Sequence, residues 1–194
     1  MTLDEAKAGC NLFRRHLLYV VCNGQKPSYY WLINHFAHLI QCPWQKPETA
    51  VVLIGGKGVG KSLSFDVLGH LMPDNTIVTA NLRMLVGQFN AHMETTLLFQ
   101  MEEAFWSGNK TAEGQLKQLI TGKTHLIERK GHEAYTVGNY ARIYITSNDT
   151  WAIPASVDER RFAVFDVNDS KRGDKGYFDA IFGELEANNG DGYR

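Results

Sequence analysis

The sequence predicts an α/β fold in which helices cover both faces of a parallel sheet, and three observations carry that expectation. Four short apolar runs, near residues 50–54, 96–101, 142–146 and 161–165, are too continuous for a sheet with one wet face. Stretches with helical spacing separate them. The first run passes directly into a Gly-rich turn, Gly55-Gly56-Lys57-Gly58-Val59-Gly60-Lys61-Ser62, with a helical pattern after it.

The elements can be justified in order. Residues 4–21 place Leu12, Phe13, His16, Leu17 and Val20 at helical spacing, and Asn23-Gly24 stops that pattern. A second helix is expected from Ser28, a good cap, to Gln41, with Trp31, Leu32, Phe36, Leu39 and Ile40 as its apolar positions. His35 and His38 lie three apart on it; no carboxylate or cysteine nearby completes a metal set, so they read as ordinary helix positions. Cys42-Pro43-Trp44-Gln45-Lys46-Pro47 cannot continue a helix and delivers the chain extended into the first strand. Residues 1–46 are thus a helical lead-in to a core over 47–194.

Within that core a helix follows the turn over 62–72, closed by Pro73-Asp74-Asn75, and Ile77-Val78-Thr79 is a short strand. Asn81 caps a helix carrying Leu82, Leu85, Val86 and Phe89. The 96–101 strand runs into Glu102-Glu103, a helix spans 111–120, and 124–136 alternates around Lys130-Gly131-His132 as a β-hairpin inserted before the strand that ends at Asn148. A final strand opens at Arg160-Arg161, and a terminal helix covers 177–187.

Composition narrows the function classes. A chain of 194 residues supports one substantial core, with room for a small appendage. Its 44% apolar and 21% charged residues are those of an ordinary globular protein, and no apolar run is long enough to span a bilayer, so no membrane partner is expected. Met1-Thr2-Leu3-Asp4-Glu5 lacks the charged start and apolar stretch of a signal peptide, which predicts a cytoplasmic location. Cys10, Cys22 and Cys42 have no zinc spacing and read as small buried hydrophobes. With a net charge of −1, any nucleic-acid binding must come from a local cluster.

From Gly55 to Ser62 the turn reads G-x-x-x-x-G-K-S, the pattern of a phosphate-binding loop. Glycines allow successive N–H groups to point inward, and the next helix adds its positive end, so a triphosphate such as ATP fits. Lys61 would reach the β- and γ-phosphates and the Ser62 hydroxyl would bind Mg²⁺. In an open parallel sheet, ligands collect at the carboxyl ends of strands. Glu102 there is read as the metal acid, Glu103 as the base, and Asn148 as a holder of the attacking water or sensor of the γ-phosphate. Arg160 and Arg161 are candidates for an arginine finger offered to a neighbouring subunit, with an exposed ion-pair patch beside Asp158 and Glu159 as the alternative. Between 110 and 142 the basic residues Lys110, Lys117, Lys123, Arg129, Lys130 and Arg142 outnumber Glu113, Glu128 and Glu133. Lys130 and His132 at a hairpin tip, with Arg129 and Lys123, are the candidate DNA contacts, since lysine grips phosphate without reading bases.

This order of features resembles the superfamily 3 helicases, a branch of the AAA+ P-loop ATPases, and most nearly the helicase portion of phage and plasmid primase-helicase (primase-polymerase) proteins. Gly87-Gln88-Phe89-Asn90, Met101-Glu102-Glu103-Ala104-Phe105-Trp106, Leu116-Lys117-Gln118-Leu119-Ile120-Thr121, Ile127-Glu128-Arg129-Lys130-Gly131, Thr146-Ser147-Asn148 and Asp158-Glu159-Arg160-Arg161-Phe162 carry it, over 31–167. The resemblance implies a hexameric ring ATPase moving on single-stranded or forked DNA in a host's cytoplasm, with Lys130 in the channel and Arg161, then Arg160, as finger. Glu102 stands where relatives commonly have Asp. No primase or polymerase acids are recognisable, so a separate helicase subunit or an excised domain is implied, with a primase-polymerase domain or subunit as partner. A nucleotide-gated DNA assembly or loader ATPase without unwinding is the competing reading, and a small-molecule kinase a third.

Overall fold

Every side chain of Ala50–Ile54 (β1) is buried, so this strand needs cover on both faces and a partner on both edges. The computed structural model, which describes residues 9–103, 110–148, 160–190 and 193, supplies all four. Five parallel strands form one sheet: Thr76–Thr79 (β2), Leu98–Met101 (β3), Arg142–Ser147 (β6), β1 and Phe162–Asp166 (β7), in the spatial order β2-β3-β6-β1-β7. Thr124–Ile127 (β4) and Tyr135–Gly138 (β5) make a separate antiparallel hairpin.

The helices are Asn11–His16 (α1), continued by a wide π turn over Leu17–Val21, Lys26–Gln41 (α2), Leu63–Leu71 (α3), Leu82–Val86 (α4), Lys110–Thr121 (α5) and Lys175–Gly190 (α6). Alternation along β1 sorts the core into two layers. Val51 and Leu53 join Phe13, Leu17, Leu32, Phe36, Phe65, Tyr144 and Ile181, so the lead-in helices share a face with α3 and α6. Val52 and Ile54 join Phe99, Met101, Leu116, Ile120 and Ile145 on the other face. Burial of each such large side chain is worth about 1.5–3 kcal/mol, which places the main stabilisation on these two layers.

Some expected local features differ. Ser28 lies inside α2, whose cap is Gln25, because Pro27 in the first turn already has the φ a helix start needs. Asn81 does cap α4 by accepting from the Arg83 N–H, but the helix stops at Val86 and Phe89 is exposed at φ +56. Cys22 is buried, with its thiol pushed up to about 11 by burial, whereas Cys10 and Cys42 are only half-buried. The helical signal expected over 4–8 lies outside the described residues.

Arg142 is the largest correction. Counted in the sequence among the basic residues available to a substrate, it is buried at the start of β6 and donates to the carbonyls of Cys42, Gln45, Pro43 and Tyr140. It staples the two-proline connector to the sheet. His38 Nδ1 faces the same guanidinium at 3.2 Å.

His35 is buried, stacked on Trp31, and its pKa is pushed down to about 4 by burial, then by the Arg142 and His38 charges. The unfolded chain therefore takes up a proton here that the folded chain refuses, so stability falls as pH drops from the ordinary histidine range toward 4. Replacing His35 with Phe should remove that component, about 3 kcal/mol at full size. Denaturant midpoints measured between pH 7 and 4 should fall less steeply for His35→Phe than for the native chain, and parallel slopes would contradict this.

Candidate functional site

The Gly-rich turn leaves the carboxyl end of β1, and its neighbours fix what surrounds it. Ile54 is in register with Ser147, and the Gly55 N–H donates to the Ser147 carbonyl at 3.1 Å. Asn148 therefore emerges beside the loop. Because β6 lies between β1 and β3, Asn148 also separates the loop from Glu102 and Glu103. Lys57, Gly58, Val59, Gly60, Lys61, Ser62, Glu102, Glu103, Thr146 and Asn148 line one cavity of about 370 Å³.

Lys61 is the electrostatic centre of this cavity. Its ammonium donates to the carbonyls of Gly55 at 2.8 Å and Gly56 at 2.6 Å and to Asn148 Oδ1 at 2.9 Å, which uses all three donors. Burial pulls its pKa down, with Glu103 and Asp169 offsetting part of that. Asn148 Nδ2 in turn donates to Glu103 Oε1 at 3.1 Å. A cation on one side and a carboxylate on the other need a group that accepts and donates at once, which an amide does and Asp does not. Glu103 holds φ +50, a left-handed backbone that a non-glycine residue adopts at a cost of about 1–3 kcal/mol.

Glu102 is half-buried and lies beside Gln100 two residues earlier on the same face of β3. The buried Gln100 amide donates to Asp66 Oδ1 at 3.0 Å and to Glu102 Oε1 at 3.4 Å, so it ties the candidate metal acid to the first turn of α3. Burial raises the Asp66 pKa, countered by the Gln100 bond. The outer wall of the loop comes from the turn after β7: a side chain at Gly56 would meet Asp169 at 3.0 Å, and the Gly173 N–H donates to the Gly58 carbonyl.

The remaining candidates lie at the opposite edge of the sheet. Ala50 pairs with Phe162 and Ile54 with Asp166, so Arg161 is a whole strand away from the loop, about 16 Å at 3.3 Å per residue. Arg160 is exposed and Arg161 half-buried, and neither serves the loop of its own chain. Asp158 and Glu159, their expected ion-pair neighbours, lie outside the described residues, as do 104–106. The hairpin also roots at this amino edge, because β5 leads into the start of β6. Lys130 and His132 are exposed in the turn closed by the His132 N–H bond to the Arg129 carbonyl. Arg129 is already paired with Glu94 and lies over the Tyr135 ring, and Lys123 is at the base of the hairpin, away from its tip. Lys117 pairs with Glu113. The basic excess read along the sequence is therefore concentrated, on the described surface, at Lys130 and Lys123.

Three structural supports escaped the sequence reading. Asn90 clamps the hairpin, accepting from the Glu128 N–H and donating to the Leu126 carbonyl, both at 2.8 Å. Gln100 reads in sequence as one polar interruption of an apolar strand. His16 reads as a helix position, although it contacts the phosphate-type loop.

Residues 53–161, more than half of the chain, match the family of unknown function DUF5906, and the chain belongs to that family. Over 164 residues it is 25% identical to the DNA primase-polymerase of Nitratiruptor phage NrS-1, covering 83% of this chain and 23% of that protein. It thus spans about a quarter of that relative's length. The apo structure of the NrS-1 C-terminal region shares the fold, with a TM-score of 0.77 and 22% identity over 94% of this chain and 44% of that one. The JCV helicase, in a complex with a small molecule, shares it more distantly, with a TM-score of 0.57 and 16% identity over 100% of this chain and 53% of the other. Among the described residues no helix is long and apolar enough to cross a membrane.

Gly60 has φ +87, and a Cβ there would come within 2.6 Å of Phe178 and 2.7 Å of His16. Gly60→Ala combines left-handed strain with overpacking, so a loss of about 2–4 kcal/mol in chemical denaturation is expected. Gly183→Ala, in α6 with nothing near its added methyl, should be neutral or stabilising by about 0.5–1 kcal/mol.

Proposed function

We propose that this chain is the ATPase core of a superfamily 3 DNA helicase, of the AAA+ P-loop type, working in phage or plasmid DNA replication. The observation that carries the reading is the Lys61–Asn148–Glu103 chain of hydrogen bonds across the carboxyl ends of β1, β6 and β3. A cation for phosphate, a carboxylate for water and an amide bonded to both is the set that hydrolysis of a phosphoanhydride requires.

The residues present fit a Mg²⁺–ATP substrate. The cavity is lined by Ser62 and Glu102, whose hydroxyl and carboxylate are hard oxygen donors of the kind Mg²⁺ takes. When bound, Mg²⁺ neutralises phosphate charge. Lys61 exchanges its carbonyl partners for phosphate oxygens, Asn148 orients the attacking water, and Glu103 accepts its proton. Arg161, or Arg160, completes the site of a neighbouring subunit, which makes a ring, six-membered by family resemblance, the working assembly. Residues 1–46 act as a helical lead-in to the core over 47–194, and a primase-polymerase domain or subunit is the expected partner.

Geometry also supports a division of labour. The loop lies at the carboxyl edge of the sheet and the hairpin at the amino edge, with β6 joining Asn148 to the hairpin through six buried residues. Lys130 and His132 at the tip would grip the backbone of single-stranded DNA, and a change at Asn148 would reach them along a rigid strand.

The test is ATP hydrolysis with and without single-stranded DNA. Native protein should be stimulated several-fold, Lys61→Ala should lose hydrolysis by two orders of magnitude or more, and Lys130→Ala should lose the stimulation while still binding ATP. Hydrolysis indifferent to DNA in an assembled ring would overturn the motor reading. Binding and ring assembly without strand displacement on a forked duplex would favour a loader.

A further inference from the structure

Behind the loop lies a side chain for which the proposed reaction has no other use. His16 is fully buried, the last residue of α1 before the π turn. Its Nε2 is 3.1 Å from the Gly60 carbonyl oxygen and its Nδ1 is 3.2 Å from the Tyr177 hydroxyl. A carbonyl oxygen only accepts, so Nε2 carries the hydrogen and donates. Burial holds the His16 pKa below the ordinary histidine range, despite the Gly60 bond that favours the charged form. The ring is neutral, so Nδ1 accepts from the Tyr177 hydroxyl.

Phe178 closes the pocket around this contact, edge-on to the His16 ring with centroids 5.9 Å apart. Both rings reach the place a Gly60 side chain would occupy. The loop backbone is therefore seated in a cup built by α1 and α6, which come from opposite ends of the chain. The Glu184 carboxylate, accepting from the Leu12 N–H at 2.6 Å, holds the two helices together.

The Gly60 carbonyl and the Lys61 N–H belong to one planar trans peptide and point in opposite directions. A carbonyl held toward His16 thus turns the Lys61 N–H away from His16. Gly60, Lys61 and Ser62 line the cavity, and His16 does not. We propose that His16, with Tyr177 behind it, is a positioning residue for the phosphate loop: its bond to the Gly60 carbonyl orients the 60–61 peptide so that the Lys61 N–H faces a bound phosphate. This rests on the nucleotide reading of the same loop.

The test compares native protein with His16→Phe, which keeps an aromatic ring but donates nothing, His16→Gln, which can still donate, and Tyr177→Phe. In nucleotide-free protein, the ¹⁵N order parameters of the Gly60 and Lys61 amides should fall in His16→Phe from the rigid range near 0.85 toward 0.6 or below. Equilibrium binding of Mg-ATP should weaken about tenfold, His16→Gln should recover part of it, and Tyr177→Phe should shift both readouts the same way by less. Native-like order parameters and affinity in His16→Phe, whatever its thermal midpoint, would overturn the proposal. If His16→Phe does not fold, Tyr177→Phe decides between the same outcomes. A native chain that binds no ATP would defeat the nucleotide reading, and the order parameters would still decide whether His16 holds the loop.

Discussion

The buried ammonium of Lys61 is the interaction on which the rest of the site depends. An unpaired charge removed from water is costly, and no carboxylate among the described residues comes within ion-pair distance of this one. Two loop carbonyls and one amide oxygen satisfy it instead. Those partners demand that the loop curl back on itself and that Asn148 stand beside it, so the position of β6 between β1 and β3 is tied to the satisfaction of one cation. Its hydrogen-bond partners are neutral, while Glu103 and Asp169 act on its charge from farther away.

Arg142, at the other end of β6, is a counterpart with a different outcome. It too is buried, and its two Nη groups donate chiefly to carbonyls of the connector and of Tyr140, just before its own strand. Its partners are held by two prolines and by the end of α2, so this cation is permanently engaged. One strand thus carries a contact to a buried cation at each end, to Arg142 at its start and, through Asn148, to Lys61 at its carboxyl end. The hairpin leaves the sheet next to the Arg142 end, where a rigid root is useful.

Supports behind the loop follow the same logic of satisfied backbone. The Gly60 carbonyl meets His16, the Gly58 carbonyl meets the Gly173 N–H, and the Gly55 N–H meets Ser147. The end of α1, the turn before α6 and the end of β6 each engage one of these backbone groups, so the loop is held from three sides. The strain at Glu103 has its place here: Asn148 holds its carboxylate across the cavity while the backbone leaves β3.

Local patterns determined much from the sequence alone. Continuous apolar runs meant two-sided strands, Asn81 meant a cap, and the glycines from Gly55 to Gly60 meant a tight turn between a strand and a helix, because each of these is a property of a few adjacent residues. The hairpin around Lys130 was legible for the same reason. Tertiary structure alone decided that β6 separates β1 from β3, since parallel pairing joins strands about ninety residues apart and leaves no local trace. It alone buried Arg142 and paired the exposed Arg129 with Glu94, because charge read along a chain does not reveal which cations are already partnered. It alone brought His16 to Gly60, a contact between residues whose separate surroundings in sequence are an unremarked helix and a glycine turn. What residues are able to do was written locally; which of them are free to do it was settled by long-range packing.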